Sequence, residues 1–263
     1  MDLGRWLEIY REICDILRID PRKDIEAATI LADIIHDRCL SRREIVELLG
    51  VRRAVAIFGA GPSLVKDLSK ALPVIEKEEV LKIAVDGACR AFLEKGIVPD
   101  VVVTDLDGGD EYLERCSMLG SLMVVHAHGD NISSLLRVVP NLRGPILGTT
   151  QTKVVPPLEN FGGFTDGDRA VCMFEELGYD TIIIAGMDFG TEIGQFSKPL
   201  PPTAEFLNRK IVKLKIGRKI LENLACISRA SFYDLTANSS DIPGFRKLGW
   251  EDIYEMLMSG RMR

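Results

Sequence analysis

Ala54 to Leu64 read AVAIFGAGPSL: five apolar residues, two glycines one residue apart, then Pro-Ser at the head of a helical pattern. An unbroken apolar run of this length, closed by a glycine turn, reads as a strand buried on both faces. Gly59 and Gly61 permit a tight turn and a close backbone approach, and Ser63 is placed to cap the helix that follows. Strand, glycine turn and helix in that order form the opening of a βαβ unit.

The same rhythm continues downstream. LKIAV (81–85) ends in Asp86-Gly87, PDVVVTD ends in Asp105, and SLMVVHAH ends in His126 and His128. PILGTT and TIIIAG (181–186) follow. Segments of helical length lie between them, at 63–79, 87–96, 109–119, 130–139 and 165–178. Strands alternating with helices predict an α/β fold, a mostly parallel sheet with helices on both faces.

Upstream the pattern is helical throughout. Leu3, Trp6, Leu7, Tyr10, Cys14 and Leu17 recur at helical spacing, and Ala28, Leu31, Ala32 and Ile35 make a second stripe. Asp20-Pro21 reads as a cap with proline at the first helical position, and Ser41 with Glu44 as a capping box. Three regions are therefore expected: an N-terminal helical subdomain (1–50), an α/β catalytic domain (51–200) and a completing C-terminal part (201–263). That last part should hold a basic amphipathic helix at 204–226, then edge strands and a final helix within 231–258.

The chain has 263 residues, 46% of them hydrophobic, so a substantial core is expected. Lys and Arg number 33 against 39 Asp and Glu, a net charge of −6, which argues against nucleic acid as a partner. No apolar run approaches the roughly 18–20 residues of a membrane span. The N-terminus is charged and amphipathic, unlike a signal peptide. A soluble cytoplasmic protein is expected, with no nucleic acid or membrane partner and a homodimer left open. The six cysteines lack metal-ligand spacing, and most fall in apolar patterns as buried reduced thiols.

Ligands of open parallel sheets bind beyond the carboxyl ends of the strands. Nearly all the unusual polar residues here fall at those ends: Gly59, Gly61 and Ser63; Asp86; Thr104, Asp105 and Asp107; His126, His128, Asp130 and Asn131; Thr149, Thr150 and Gln151. GAGPS is either a phosphate-approaching loop or a tight capped turn. In TDLDG, alternation lets Asp105 and Asp107 converge on one cation, and oxygen-only ligands near phosphate suit Mg²⁺; a solvated acidic turn is the plainer reading. In FTDGDRA, Thr165 and Asp168 form a plausible capping box, which leaves Asp166 and the preceding Gly162-Gly163 to explain. Two histidines at one strand exit lack a third nearby partner for a transition metal, so a hydrogen-bonding role is the better expectation.

Taken in order, GAGPSL, DGA, PD-VVTDLDG, HAHGDN, GTTQT, NFGGFTDGDRA and AGMDFG resemble the archaeal 6-hydroxymethyl-7,8-dihydropterin pyrophosphokinases (MptE-like), a family related in fold to thiamin pyrophosphokinase. The resemblance runs from about Val55 to Ser197. Asp86, Asp100, Asp105, Asp107, Thr165, Asp166, Ala170 and Gly186 stand where the thiamin enzymes carry their pattern. TDLDG and AGMDFG depart from the thiamin versions and favour the pterin group.

The resemblance implies diphosphate transfer from ATP to the pterin hydroxymethyl group with release of AMP, in folate or methanopterin-type biosynthesis. It implies Mg²⁺ on Asp105 and Asp107, with Asp86, Asp166 and Asp168 completing the acidic cluster and Asp166 and Asp168 joining the pair as catalytic residues. Gly59, Gly61, Ser63, Asp86, Thr104 and Lys198 are then expected near nucleotide. His128, Asp130, Asn131, Gln151, Asn160 and Phe164 are expected near the pterin, and Arg169 is a further candidate for phosphate. The alternatives are a thiamin or other alcohol pyrophosphokinase, and a nucleotide-binding module without catalysis.

Overall fold

The computed structural model describes residues 2–77, 79–197, 203–237 and 239–260. Its centre is an eight-stranded sheet of β1 (Ala54–Phe58), β2 (Val80–Val85), β3 (Val101–Thr104), β4 (Leu122–Ala127), β5 (Ile146–Thr150), β6 (Thr181–Ala185), β7 (Ser231–Asp234) and β8 (Phe245–Lys247). The strand order is β5-β4-β3-β2-β1-β6-β7-β8 and every pairing is parallel. From β1 the chain steps one way as far as β5, then crosses to the other side of β1 as β6. That reversal opens a crevice beyond the carboxyl ends of β1 and β6.

Alternation along each strand divides the core in two. Ala56 and Phe58 face one layer, where α2 (Pro21–Ile35), α4 (Leu64–Ile75), α5 (Ala88–Glu94), α6 (Asp110–Met118), α7 (Ile132–Val138) and α10 (Trp250–Met258) pack. Val55 and Ile57 face the other, covered by α1 (Leu3–Leu17), α3 (Arg42–Leu49), α8 (Asp166–Glu176) and α9 (Ala204–Ile227). The α/β expectation with helices on both faces holds.

The first three helices straddle the edge of the sheet. Trp6, Tyr10 and Leu17 of α1 and Ile45 of α3 join the cluster around Val55 and Val124, while Leu31 and Ile35 of α2 join the one around Phe58 and Met123. The connection between α2 and α3 shields β5, because the Leu40 amide donates to Ile146 O at 2.8 Å. Further along β5, Glu159 donates to Gly148 O and accepts from the Thr150 amide, each at 2.9 Å. An edge strand with its backbone groups occupied in this way cannot recruit a foreign strand. None of the six cysteines is paired, and four are buried. No helix among the described residues is long and apolar enough to cross a membrane.

Candidate active site

The carboxyl ends of the central strands open into a cavity of about 640 Å³. Parallel pairing sets the turn after β2 beside the turn after β3, and α8 begins above both. Asp86, Asp105 and Asp166 consequently each bring a carboxylate oxygen to within 4.8 Å of the others. Sequence spacing pairs Asp105 with Asp107, whereas the structure gathers Asp105 with Asp86 and Asp166. Asp107 is exposed on the cavity wall, its amide donating to Asp105 Oδ1 at 3.2 Å.

Neighbouring groups fix the three carboxylates. Thr104 is fully buried and its hydroxyl donates to Asp86 Oδ1 at 2.8 Å. Its oxygen in turn accepts the Leu106 amide at 2.8 Å. Thr104 does not line the cavity and acts on Asp86 from behind. His128 Nδ1 accepts the Asp130 amide at 3.2 Å, so the ring proton sits on Nε2, which faces Asp105 Oδ2 at 3.4 Å. Asn131 donates to Asp105 O and to His126 O, both at 2.8 Å. Among the described residues, the non-glycines with positive φ are Arg18, Asp86, Leu106 and Phe189. Three of these line the cavity and Leu106 sits between two lining aspartates, so strained backbone is concentrated at this site.

Gathering three carboxylates disfavours ionising all of them. Burial, with Asp105 and Asp107 beside it, pushes the Asp86 carboxyl up to about 8. Burial, with Asp105 and Asp86 beside it, also holds Asp166 well above the usual range. Behind them lies the buried Arg169, whose guanidinium donates to Phe164 O at 3.0 Å. It is enclosed, not a surface cation, and it does not line the cavity.

Cations also line the cavity. Arg18 and Lys23, from the junction of α1 and α2, line the cavity together with Arg209, Lys210 and Lys213 of α9. The Lys213 ammonium lies 5.9 Å from the centre of the Phe164 ring, another lining residue. Sequence reading did not single out these cations, although the basic character of 204–226 was a usable signal. Lys198, an expected phosphate contact, lies outside the described residues.

The glycine loop has its own occupant. The amide of Ser63 donates to Asp188 Oδ2 at 3.3 Å, and the Ser63 hydroxyl lies 3.0 Å from the same oxygen. A side chain at Gly61 would sit 2.0 Å from Asp188 Oδ2, and one at Gly59 would sit 2.7 Å from Gly186 O. The glycines therefore let β1 close against the segment after β6. Gly59, Gly61 and Asp188 line the cavity, and Ser63 does not.

Asp168 turns away from the cavity. Its Oδ2 accepts the Phe164 amide at 2.6 Å, its Oδ1 accepts the Thr165 amide at 2.9 Å, and the Thr165 hydroxyl donates to it as well. This is the capping box read from the sequence. Asn160 likewise spends its side chain on its own loop, donating to Thr152 O at 2.6 Å and accepting the Gly162 amide at 2.9 Å. Neither residue lines the cavity. Asp100 lies at the opposite end of β3, where it accepts the Lys82 amide at 2.7 Å. Asp130, Asn131, Gln151 and Phe164 do line the cavity, as does His128.

Three oxygen donors of this kind suit a hard divalent cation that keeps waters and bridges to phosphate. The sign of the linkage follows from the raised carboxyls. Folded Asp86 keeps its proton until about pH 8, against the ordinary 3.8, so the folded state binds more protons in between. Its contribution to stability then falls as pH rises across that window. A bound cation removes the penalty. The increase in melting temperature produced by Mg²⁺ should thus grow from pH 6 to pH 8.5, as read by thermal denaturation with and without the ion. A pH-independent increment would detach the carboxylates from metal binding.

Residues 36–194 match the family described as 6-hydroxymethylpterin diphosphokinase MptE-like. Three proteins named 6-hydroxymethyl-7,8-dihydropterin pyrophosphokinase are each 40% identical to this chain. That of Methanocaldococcus jannaschii aligns over 76% of this chain and 85% of its own, and that of Pyrococcus furiosus over 90% and 100%. The protein of Methanothermobacter thermautotrophicus aligns over 76% and 84%. Among solved structures, the MAf glycosyltransferase of Magnetospirillum magneticum AMB-1 superposes with a TM-score of 0.52 at 14% identity. That match covers 80% of this chain and 36% of the glycosyltransferase, and it is a likeness of fold.

Proposed function

The chain belongs to the MptE-like 6-hydroxymethylpterin diphosphokinase family, and from that membership we propose that it transfers diphosphate from ATP to 6-hydroxymethyl-7,8-dihydropterin. The alcohol oxygen attacks the β-phosphorus, the bond from that phosphorus to the α-bridging oxygen breaks, and the products are the pterin diphosphate, AMP and a proton. The observation that carries this reading is that Asp86, Asp105 and Asp166 meet in a cavity that cations of the α1–α2 junction and α9 also line.

Asp86, Asp105 and Asp166 would hold Mg²⁺, with Asp107 near enough to take one of its waters. When bound, the ion draws off charge that builds on the phosphate oxygens. The remaining work falls to the chain's own groups. Arg18, Lys23 and Lys213, which line the same cavity, offset the charge of the triphosphate. The nucleoside sits over the Gly59–Gly61 turn and the Gly186–Asp188 segment packed against it, because the strand order reverses there. His128 and Thr104 keep Asp105 and Asp86 from turning away. Phosphoryl-type transfers depend on such positioning and electrostatics more than on covalent help from the protein.

The reading is tested by incubating the protein with ATP, Mg²⁺ and the pterin alcohol and identifying the products. AMP and the pterin diphosphate are expected in equal amounts. ADP with a pterin monophosphate would overturn it. The same assay with thiamin in place of the pterin should give no AMP.

A further inference from the structure

We propose that Asp24, on α2, is a positioning residue for the active site: it anchors the turn after β4 from outside and so holds His128 against Asp105. This rests on the reading above in which Asp105 helps to hold Mg²⁺, and it adds a residue of the N-terminal helices to that site.

The turn at 128–131 is accounted for amide by amide. The His128 amide donates to Asn131 Oδ1 at 3.1 Å, the Asp130 amide to His128 Nδ1 at 3.2 Å, and the Asn131 amide to His128 O at 3.0 Å. Those bonds close within the turn. The Gly129 amide is met from another element, by Asp24 Oδ1 at 2.7 Å. The fit of the backbone is as close. A side-chain carbon at Gly129 would sit 2.5 Å from Lys23 Cβ and 3.3 Å from Asp24 Oδ1, so glycine is what lets α2 come this near.

Asp24 is itself held from two sides. It is 2% exposed and borders the cavity. The Tyr10 hydroxyl donates to its Oδ2 at 2.5 Å, and Gln151 Nε2 donates to the same oxygen at 2.6 Å. Among the described residues its three donors are all uncharged, and burying a carboxylate on such terms is costly for a residue that only packs. A first-turn aspartate can serve the helix dipole from the surface. This one is turned inward, towards α1, the end of β5 and Gly129. It lies outside 36–194, the stretch matched to the family.

The effect reaches the acidic trio through one side chain. With its Nδ1 taken by the Asp130 amide, His128 presents Nε2–H to Asp105 Oδ2, 3.4 Å away. When the Gly129 amide loses Asp24, the turn shifts, the ring leaves Asp105, and that carboxylate is free to rotate. Outer groups that orient a metal ligand are typically worth roughly ten- to a hundredfold in metal affinity or activity.

The first measurement is the affinity of the substrate-free protein for Mn²⁺, a stand-in for Mg²⁺ that electron paramagnetic resonance counts; the second is AMP release. Asp24→Leu should weaken Mn²⁺ binding and turnover about tenfold each. Asp24→Asn, whose oxygen can still accept the Gly129 amide, should recover most of both losses. Gly129→Ala crowds the same contact and leaves every hydrogen-bonding group in place. It should cost about as much as Asp24→Leu, and it carries the test if Asp24→Leu does not fold. A His128→Ala background separates positioning from a general structural role. With the ring gone, Asp24→Leu or Gly129→Ala should add less than about twofold. Full additivity in that background, or unaltered Mn²⁺ affinity in Gly129→Ala, overturns the inference. Wild type that binds Mn²⁺ but releases no AMP takes down the functional reading, and the Mn²⁺ comparison then decides this inference by itself. Wild type that binds no Mn²⁺ takes down the metal assignment and this inference together.

Discussion

Asp86→Asn should lower turnover roughly a thousandfold and raise the stability of the metal-free protein at about pH 8. Both effects come from the same crowding. Asp86 shares its space with Asp105 and Asp166, and its carboxyl is pushed up to about 8 by burial, with Asp105 and Asp107 beside it. The uncharged amide abolishes the repulsion that the folded state must otherwise bear above the ordinary carboxylate range. It also takes away one of the three oxygens available to a cation, and charge stabilisation in such sites is worth several kcal/mol. Asp105→Asn should behave alike. Asp107→Asn, outside the trio and exposed, should cost only about tenfold, as expected for a group acting through water or at long range. Steady-state rates at saturating Mg²⁺ and melting curves in chelator check these outcomes. Equal losses at Asp105 and Asp107, with Asp86→Asn active, would restore the pairing read from the TDLDG spacing.

The second large effect separates two aspartates that lie two residues apart. Asp168→Ala should destabilise the protein by about 3 kcal/mol or more, since it strands two amides and a hydroxyl in the interior. Asp166→Asn should leave the melting temperature level or raised, because its own carboxyl is held up by burial and by Asp105. Its turnover should fall roughly a hundredfold. Thr165→Ala should cost about 1 kcal/mol and spare activity, as loss of a helix cap does. Urea titrations and initial rates on the three variants give six numbers. A fully active, stable Asp166→Asn protein would remove the start of α8 from the site.

Local chemistry made much of the molecule readable from the chain alone. Apolar runs at 54–58 and 181–185, each closed by glycine, had to be strands covered on both sides. Ser41 with Glu44, and Thr165 with Asp168, had to open helices, because a helix start leaves amides that such side chains satisfy. The clustering of polar residues at strand exits was legible for the same reason, since only those positions escape the two apolar layers. Which of them meet was not legible from spacing; the family resemblance put Asp86 and Asp166 with the TDLDG pair, but it also put Asp168 there, which turns away to its own loop. Asp105 and Asp107 are close in sequence, but Asp86 and Asp166 reach Asp105 only because β2 pairs with β3 and α8 returns over both. The Ser63 amide that reads as a phosphate donor is taken by Asp188, 125 residues away. Asp24, Lys23 and Lys213 carry no motif at all. Hydrogen-bonding and helical periodicity act over a few residues, so the sequence displays them directly. Convergence across a cavity is set by strand order and by how helices from both ends of the chain close over it, and those depend on long-range packing that no local pattern encodes.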